Sequence, residues 1–321
     1  MLNWGILGLG NIAKVFADDL NLLSDQQLMA VGSRSKAKAD GFSKMYEGVS
    51  SYGSYEALLN DEKVDIVYIA TPHVSHMEWT IKALEMGKHV LCEKPAGVNQ
   101  DQVKEMVSAA KRNNKFLMEA LWSKFNPTIK EVIHRCQSGD IGAVNHVNAE
   151  FSFNGKNVKR ERLFDINLAG GALLDVGIYP VFLAYSILGM PEEILSVCHF
   201  GNQVDLQSAM IFKYTYGVAS LSCGLNSDAE NAANISGTKG RFILPTRWHE
   251  AQGYEESIQK VRKKFDNPTL GKGYTYEIEE CYRCIKNGLI ESPDWSHQNS
   301  LELISILDEI RDQIGLRYPF E

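Results

Sequence analysis

The run Asn3-Trp4-Gly5-Ile6-Leu7-Gly8-Leu9-Gly10-Asn11-Ile12-Ala13 decides how the chain begins to fold. A strand-like stretch passes into a G-x-G-x-x-A turn and then into a helical spacing of Ile12, Phe16, Leu20 and Leu23. Gly8 permits the tight turn, Gly10 lets a pyrophosphate approach the backbone, and small Ala13 lets helix pack on strand. The helix start at Asn11 and Ile12 can then hold phosphate. Strand, glycines and helix in this order are the fingerprint of a dinucleotide site.

Further strand patterns at 28–32, 49–52, 64–70 and 115–120 alternate with helical ones, Ser54 being placed to cap one of these helices. With the apolar run ending near residue 93 they make six strands of a doubly wound parallel sheet. An acidic residue at the end of the second strand would bind the adenosine ribose of NAD. Ser33 and Arg34 stand there instead, where a ribose 2′-phosphate would lie, which favours NADP over NAD. Lys36 and Lys38 read as a solvated helix start.

The run Val90-Leu91-Cys92-Glu93-Lys94-Pro95 reads as a buried strand whose C-terminal end opens into a cleft, where charge is tolerated. Lys94 is the first candidate catalytic residue. Pro95 pushes it toward an extended conformation and allows a cis Lys94-Pro95 bond. Thr71-Pro72-His73-Val74-Ser75-His76 lies at another strand C-terminus, where ligands bind in such sheets. For His73 and His76 a cofactor contact and a helix-start hydrogen bond remain equal readings. No carboxylate is spaced with them as a metal partner, and no metal is expected.

The chain has 321 residues, 44% hydrophobic and 23% charged, enough for two globular domains. Its formal net charge is −7, and the basic run Lys260-Val261-Arg262-Lys263-Lys264 is only local, so nucleic acid is not an expected partner. No apolar stretch is read as long enough for a membrane span, and the first strand begins at about residue 2. The six scattered cysteines read as reduced thiols of a cytoplasmic protein, with Cys281 and Cys284 structural.

The second half has its own pattern. Residues 144–153 alternate with period two, and β-rich runs at 196–200, 207–214, 218–223, 234–237 and 241–244 imply an antiparallel meander. Helices at 170–189 and near 275–287 and 299–313 would cover part of this sheet. An uncovered remainder would suit pairing of two subunits, a homodimer through sheet faces. The stretch 262–273 reads as a surface loop. The expected domains are 1–121, dinucleotide-binding, and 122–321, an α+β substrate and dimerisation domain whose last helix is free to pack back on the first. Asp175 and Tyr179, four apart, would share a helix face. Gly170 and Gly171 before them would let backbone approach the nicotinamide or substrate.

Thr71-Pro72, His76, Ala83-Leu84, Gly87-Lys88-His89-Val90 and Glu93-Lys94-Pro95 together resemble the signature of the Gfo/Idh/MocA oxidoreductases. The runs 117–127 and 170–179 resemble the branch of that family that oxidises dihydrodiols and D-xylose with NADP. The resemblance covers nearly the whole chain. It implies a Rossmann domain followed by an α/β domain with an open sheet, a dimer, and cofactor contacts at Thr71, Pro72, His73, His76, Glu93 and Lys94. It also implies Tyr179 as acid/base in the role that other members give to histidine, with Lys94 and Asp175 assisting. Trp122, Phe153 and Tyr276 are candidates for an aromatic-tolerant substrate pocket, with a core role equally open. Another polyol, a cyclitol or an imine is the alternative substrate, and a non-catalytic NADP sensor is the more distant reading.

Overall fold

The computed structural model describes residues 1–155 and 161–321, which divide into two compact units: Met1–Trp122 with Leu270–Leu301, and Ser123–Thr269 with Glu302–Glu321. In the first unit β1 (Leu2–Leu7), β2 (Gln26–Gly32), β3 (Ser50–Tyr52), β4 (Ile66–Ile69), β5 (His89–Glu93) and β6 (Leu117–Ala120) form one sheet in the order β3-β2-β1-β4-β5-β6. Every pairing in it is parallel. This is the doubly wound Rossmann order, with its switch point between β1 and β4. Strands buried on both faces explain why their sequences run apolar rather than alternating.

Helices α1 (Asn11–Leu20), α2 (Lys36–Ser43), α3 (Tyr55–Leu59), α4 (His76–Glu85) and α5 (Gln100–Asn113) connect these strands. Ser54 caps α3, its hydroxyl accepting from the Ala57 N–H at 3.1 Å, and Asn99 caps α5 through the Gln102 N–H at 3.0 Å. Phe16 of α1 stacks on Tyr68 of β4 with ring centroids 3.8 Å apart, and Trp4 of β1 meets Phe16 edge-on at 5.4 Å. All three rings are buried. Burial of each contributes roughly 2–3 kcal/mol, and their offset contacts a little more.

The second unit is built on β7 (Val144–Ser152), β8 (Glu193–Gly201), β9 (Val204–Tyr214), β10 (Gly217–Gly224), β11 (Ala233–Gly237), β12 (Gly240–Leu244), β13 (Gly253–Ile258) and β14 (Val261–Asp266). They lie in the order β14-β13-β12-β11-β7-β10-β9-β8, antiparallel except for the parallel β7–β10 pair. A Rossmann sheet plus a mostly antiparallel open sheet is the fold class that the sequence implied. Helix α6 (Pro127–Gln137) belongs to this unit, and α7 (Ile178–Leu188) covers the buried face of β7 and β10. Helices α8 (Thr275–Lys286) and α9 (His297–Ile314) complete the chain.

Two expectations need correction. The stretch read as a surface loop begins with a strand, since Val261–Asp266 is β14. It misled because Arg262, Lys263 and Lys264 look like loop residues, whereas an outermost strand is where lysines block further pairing. Second, Ile166–Leu188 does have the length and mean hydropathy, 1.6, of a membrane span, although 83% of that window is buried. Among the described residues it is a core helix, apolar all round because sheet and helix enclose it.

Candidate active site

The glycine-rich turn is built as the sequence demands at one residue and open at another. Gly8 adopts φ +90°, and a Cβ there would stand 2.6 Å from the Ala70 carbonyl oxygen, so only glycine fits. Gly10 precedes α1 with extended backbone and no side-chain cap, and a Cβ there would meet nothing within 4 Å. The first N–H groups of α1, at Asn11 and Ile12, therefore face open space with the positive end of the helix behind them. Ala13 is fully buried against the sheet, as close packing requires.

Other expected cofactor residues lie on the C-terminal edge of the same sheet. Thr71 follows β4, and its buried hydroxyl has no hydrogen-bond partner among the described residues. Pro72 opens a short 3-10 turn, His73–Ser75, in which His73 is buried. His76 begins α4, and its ring lies between two backbone carbonyls, Thr71 at 2.9 Å and Pro95 at 2.8 Å. It thereby stitches the exit of β4 to the turn after β5. Ser33 follows β2 and accepts from the Ser35 N–H at 3.2 Å, and Arg34 beside it is exposed.

Lys94 follows β5, half-buried, and its peptide bond to Pro95 is cis. The turn is held from beneath. Glu119 of β6, buried, accepts from the Ala96 N–H at 2.9 Å, the Ser300 hydroxyl at 2.7 Å and the Trp295 indole at 3.2 Å. Burial pushes its carboxyl up, against these donors and the Lys94 charge. Glu93 accepts from the Lys94 N–H at 3.1 Å and from the Tyr68 hydroxyl. Trp122, nearly buried, stacks on Tyr274 at 4.7 Å, and the half-buried Tyr276 accepts from the Leu270 N–H through its hydroxyl at 3.0 Å.

In the second unit Asp175 and Tyr179 lie on one helical segment, but its first turn, Leu173–Gly177, is a π-helix. The i→i+5 bonds of that turn widen the repeat, so the simple α-helical face assumed from the spacing of four does not apply. Asp175 is buried and accepts from the Arg162 guanidinium at 2.9 Å. Tyr179 stands in the first turn of α7, 5% exposed, in an aromatic wall. Its ring is 5.4 Å from Phe151 and 5.4 Å from His249, which stack on each other at 4.0 Å; Phe153 lies 6.4 Å from Phe151. Gly170 and Gly171 correct an expectation: their close approach is to the protein itself. A Cβ on Gly170 would stand 2.8 Å from three backbone carbonyls, and one on Gly171 1.9 Å from the Asp205 carboxylate.

Sequence reasoning missed Arg162, Asp205, His249 and Phe151. The partners lie 13 to 98 residues from the groups they serve, and nothing local marks them. A cavity of about 550 Å³ lies at the other edge of the first sheet, lined by Asp65, Lys88, His89, Lys115 and Lys286. Those lysines sit at or just past the ends of α4, α5 and α8, where cations offset the helix dipoles. Chemistry in a doubly wound sheet belongs to the opposite edge.

An open helix start at the switch point of a parallel sheet is built to hold the phosphates of a dinucleotide, which makes the first unit an NAD(P)-binding Rossmann domain. Residues 2–121 match the model of an oxidoreductase family with NAD-binding Rossmann fold, and residues 129–243 match the GFO/IDH/MocA C-terminal domain. The chain is 38% identical to trans-1,2-dihydrobenzene-1,2-diol dehydrogenase of Mus musculus, covering 99% of this chain and 98% of that protein. The Homo sapiens protein of the same name is 36% identical with the same coverage. Among solved structures, a 3-ketoreductase from Actinomadura kijaniata in complex with NADP and TDP-benzene superposes with TM-score 0.88 at 26% identity, over 98% of both chains. The chain belongs to the Gfo/Idh/MocA oxidoreductase family. It is an NAD(P)-dependent dehydrogenase acting on CH–OH groups.

Proposed function

We propose that the protein is an NADP-dependent dehydrogenase of sugars or diols, of the D-xylose or trans-dihydrodiol type, with Tyr179 as the acid/base. The placement of Tyr179 supports this reading most: a hydroxyl-bearing ring in the first turn of a buried helix, walled by Phe151 and His249. An aromatic wall suits a cyclic, partly apolar diol. The names of the curated relatives point to the same substrate class. NADP rather than NAD rests on Ser33 and the exposed Arg34 after β2, and is supported by the NADP held in the Actinomadura structure.

When bound, the nicotinamide supplies the hydride acceptor for the reacting carbon. The chain's residues manage the proton. In oxidation the substrate hydroxyl passes its proton to the Tyr179 oxygen. An ordinary tyrosine titrates at about 10 and is a weak base at neutral pH. The Lys94 ammonium is the group that favours the phenolate and steadies the reacting oxygen, and Asp175, paired with Arg162, orients substrate hydroxyls. The apolar outer face of β8–β10, with Leu195 59% and Val197 69% exposed, fits a second copy of the chain.

The test compares NADPH with NADH binding by intrinsic fluorescence, then screens D-xylose and trans-dihydrodiols for turnover. Tyr179→Phe is expected to lower kcat by about 10²–10⁴-fold, the range for a lost general acid or base, with NADPH affinity unchanged. Wild-type turnover in that variant would remove Tyr179 from the mechanism.

A further inference from the structure

We propose that Asp205 is a positioning residue for Tyr179: a carboxylate supplied by the chain itself that pins the start of the helix on which Tyr179 stands. The inference rests on the reading of Tyr179 given above. Asp205 is the second residue of β9 and fully buried. Its Oδ2 accepts from the Leu173 N–H at 2.6 Å, the Ala172 N–H also favours its ionised form, and the Ser208 hydroxyl lies 3.5 Å away. These are the orphan donors that every helix start must satisfy, here met by an anion from another strand.

The clamp is closed on its other sides. Gly171 has φ +121° and leaves room for the Asp205 Oδ1, which has no hydrogen-bond partner among the described residues. Gly170 is packed under the carbonyls of Arg162, Leu163 and Asp165, and its own carbonyl accepts from the Tyr318 hydroxyl at 3.2 Å. Leu173 and Tyr179 are joined by continuous helix, so a displaced start is transmitted to the ring. A shift of about 1 Å in a reacting group can cost about 10²-fold in rate.

The charge of this pin depends on pH. Burial pushes Asp205 up to about 7, against the backbone donors that favour its ionised form. The titratable groups that face it are Tyr318, Cys198 and Cys223, each raised by burial and therefore neutral near pH 7; Arg311 and Glu321 stand behind Tyr318. Asp205 thus gains its charge as pH rises through about 7, and a charge-assisted bond is roughly twice as strong as a neutral one. The effect on folding has the opposite sign. A carboxyl raised in the fold favours the folded state most below its unfolded value of about 4, and that contribution is lost as pH rises to about 7.

The experiment measures kcat, KM and their pH dependence for wild type, Asp205→Asn and Tyr179→Phe, together with NADPH affinity. Asp205→Asn is expected to lose about 10–100-fold in kcat, in keeping with a displaced reacting group, with substrate KM and NADPH affinity nearly unchanged. Its acid-side inflection near pH 7 should vanish. Wild-type kcat with the inflection retained overturns the proposal. Should Asp205→Asn not fold, hydrogen exchange on the wild type decides: protection of the Leu173 amide is expected to fall as pH drops through about 7, and pH-independent protection refutes the role. Tyr179→Phe with full turnover sinks the acid/base reading itself, whereas an inactive Tyr179→Phe beside an unaltered Asp205→Asn sinks only the role of Asp205.

Discussion

A methyl group added at Gly10, before α1, would touch nothing within 4 Å, whereas one added at Gly171 would stand 1.9 Å from a carboxylate. Both glycines stand just before helices whose first N–H groups need an anion. At α1 the place is left open and the anion comes from outside, as the phosphates of a dinucleotide. At the π turn before α7 the chain fills the place with its own Asp205. The same residue type thus means room for a ligand in one unit and room for a buried side chain in the other. A glycine pair before a helix is therefore not by itself evidence of a binding site.

The contrast is broken most forcefully at Gly171. Gly171→Ala places a Cβ at φ +121° against the Asp205 side-chain oxygen, combining backbone strain with a clash against a buried carboxylate already held by the Leu173 N–H. Unfolding in urea should show a loss of about 2–4 kcal/mol, typical of strain at a special backbone position. Adding Asp205→Ala should recover part of that loss, because the clash partner is gone, so the two substitutions should be clearly non-additive. Additive losses would show that Asp205 does not determine the need for glycine.

At Gly10 the expectation reverses. Its backbone, φ −87° and ψ −171°, is open to any residue, so Gly10→Val should leave the urea midpoint within error. NADPH affinity should fall by about tenfold or more, each tenfold being about 1.4 kcal/mol. A variant that lost stability while keeping its affinity would place Gly10 among the structural glycines and leave the phosphate site elsewhere.

The same division explains what could be read from the sequence. The Rossmann half was legible because each of its rules is local: Gly8 and Gly10 follow one strand, Ser33 and Arg34 follow the next, and Ser54 and Asn99 sit three residues before the N–H groups that they cap. The sheet of the second unit was legible in its strand runs from β7 to β12, but β13 was not read as a strand and the lysines of β14 imitated a loop. Its site was half legible. Asp175 and Tyr179 share one helix, but Arg162, Phe151 and His249 reach them from other elements, and Asp205 reaches the start of that helix at Leu173. No periodicity connects a strand residue to a helix start 32 positions away. The π turn was invisible for a similar reason, since its wider repeat is imposed by what packs around it.

A second buried acid shows what Asp205 would be without its donors. Glu277 of α8 is fully buried, and neither carboxylate oxygen has a hydrogen-bond partner among the described residues. Burial first, then the charges of Glu93 and Asp19, push its carboxyl well above the ordinary value of 4.5. Tyr68 and Cys281 also face it. For an acid raised in the fold, the protonated form favours the folded state below about 4.5, and this contribution is lost as pH climbs toward the folded value. Wild-type stability should therefore decline between pH 5 and 9 by more than that of Glu277→Met, which fills the same space without a charge. At pH 7 the variant should be the more stable by about 1 kcal/mol, since no donor is left orphaned by the exchange. Urea unfolding of both proteins at pH 5, 7 and 9 makes the comparison. A difference that grows with pH marks Glu277 as a neutral acid tolerated in the core. A variant less stable at every pH would mean that the carboxylate holds an internal partner, as Asp205 does.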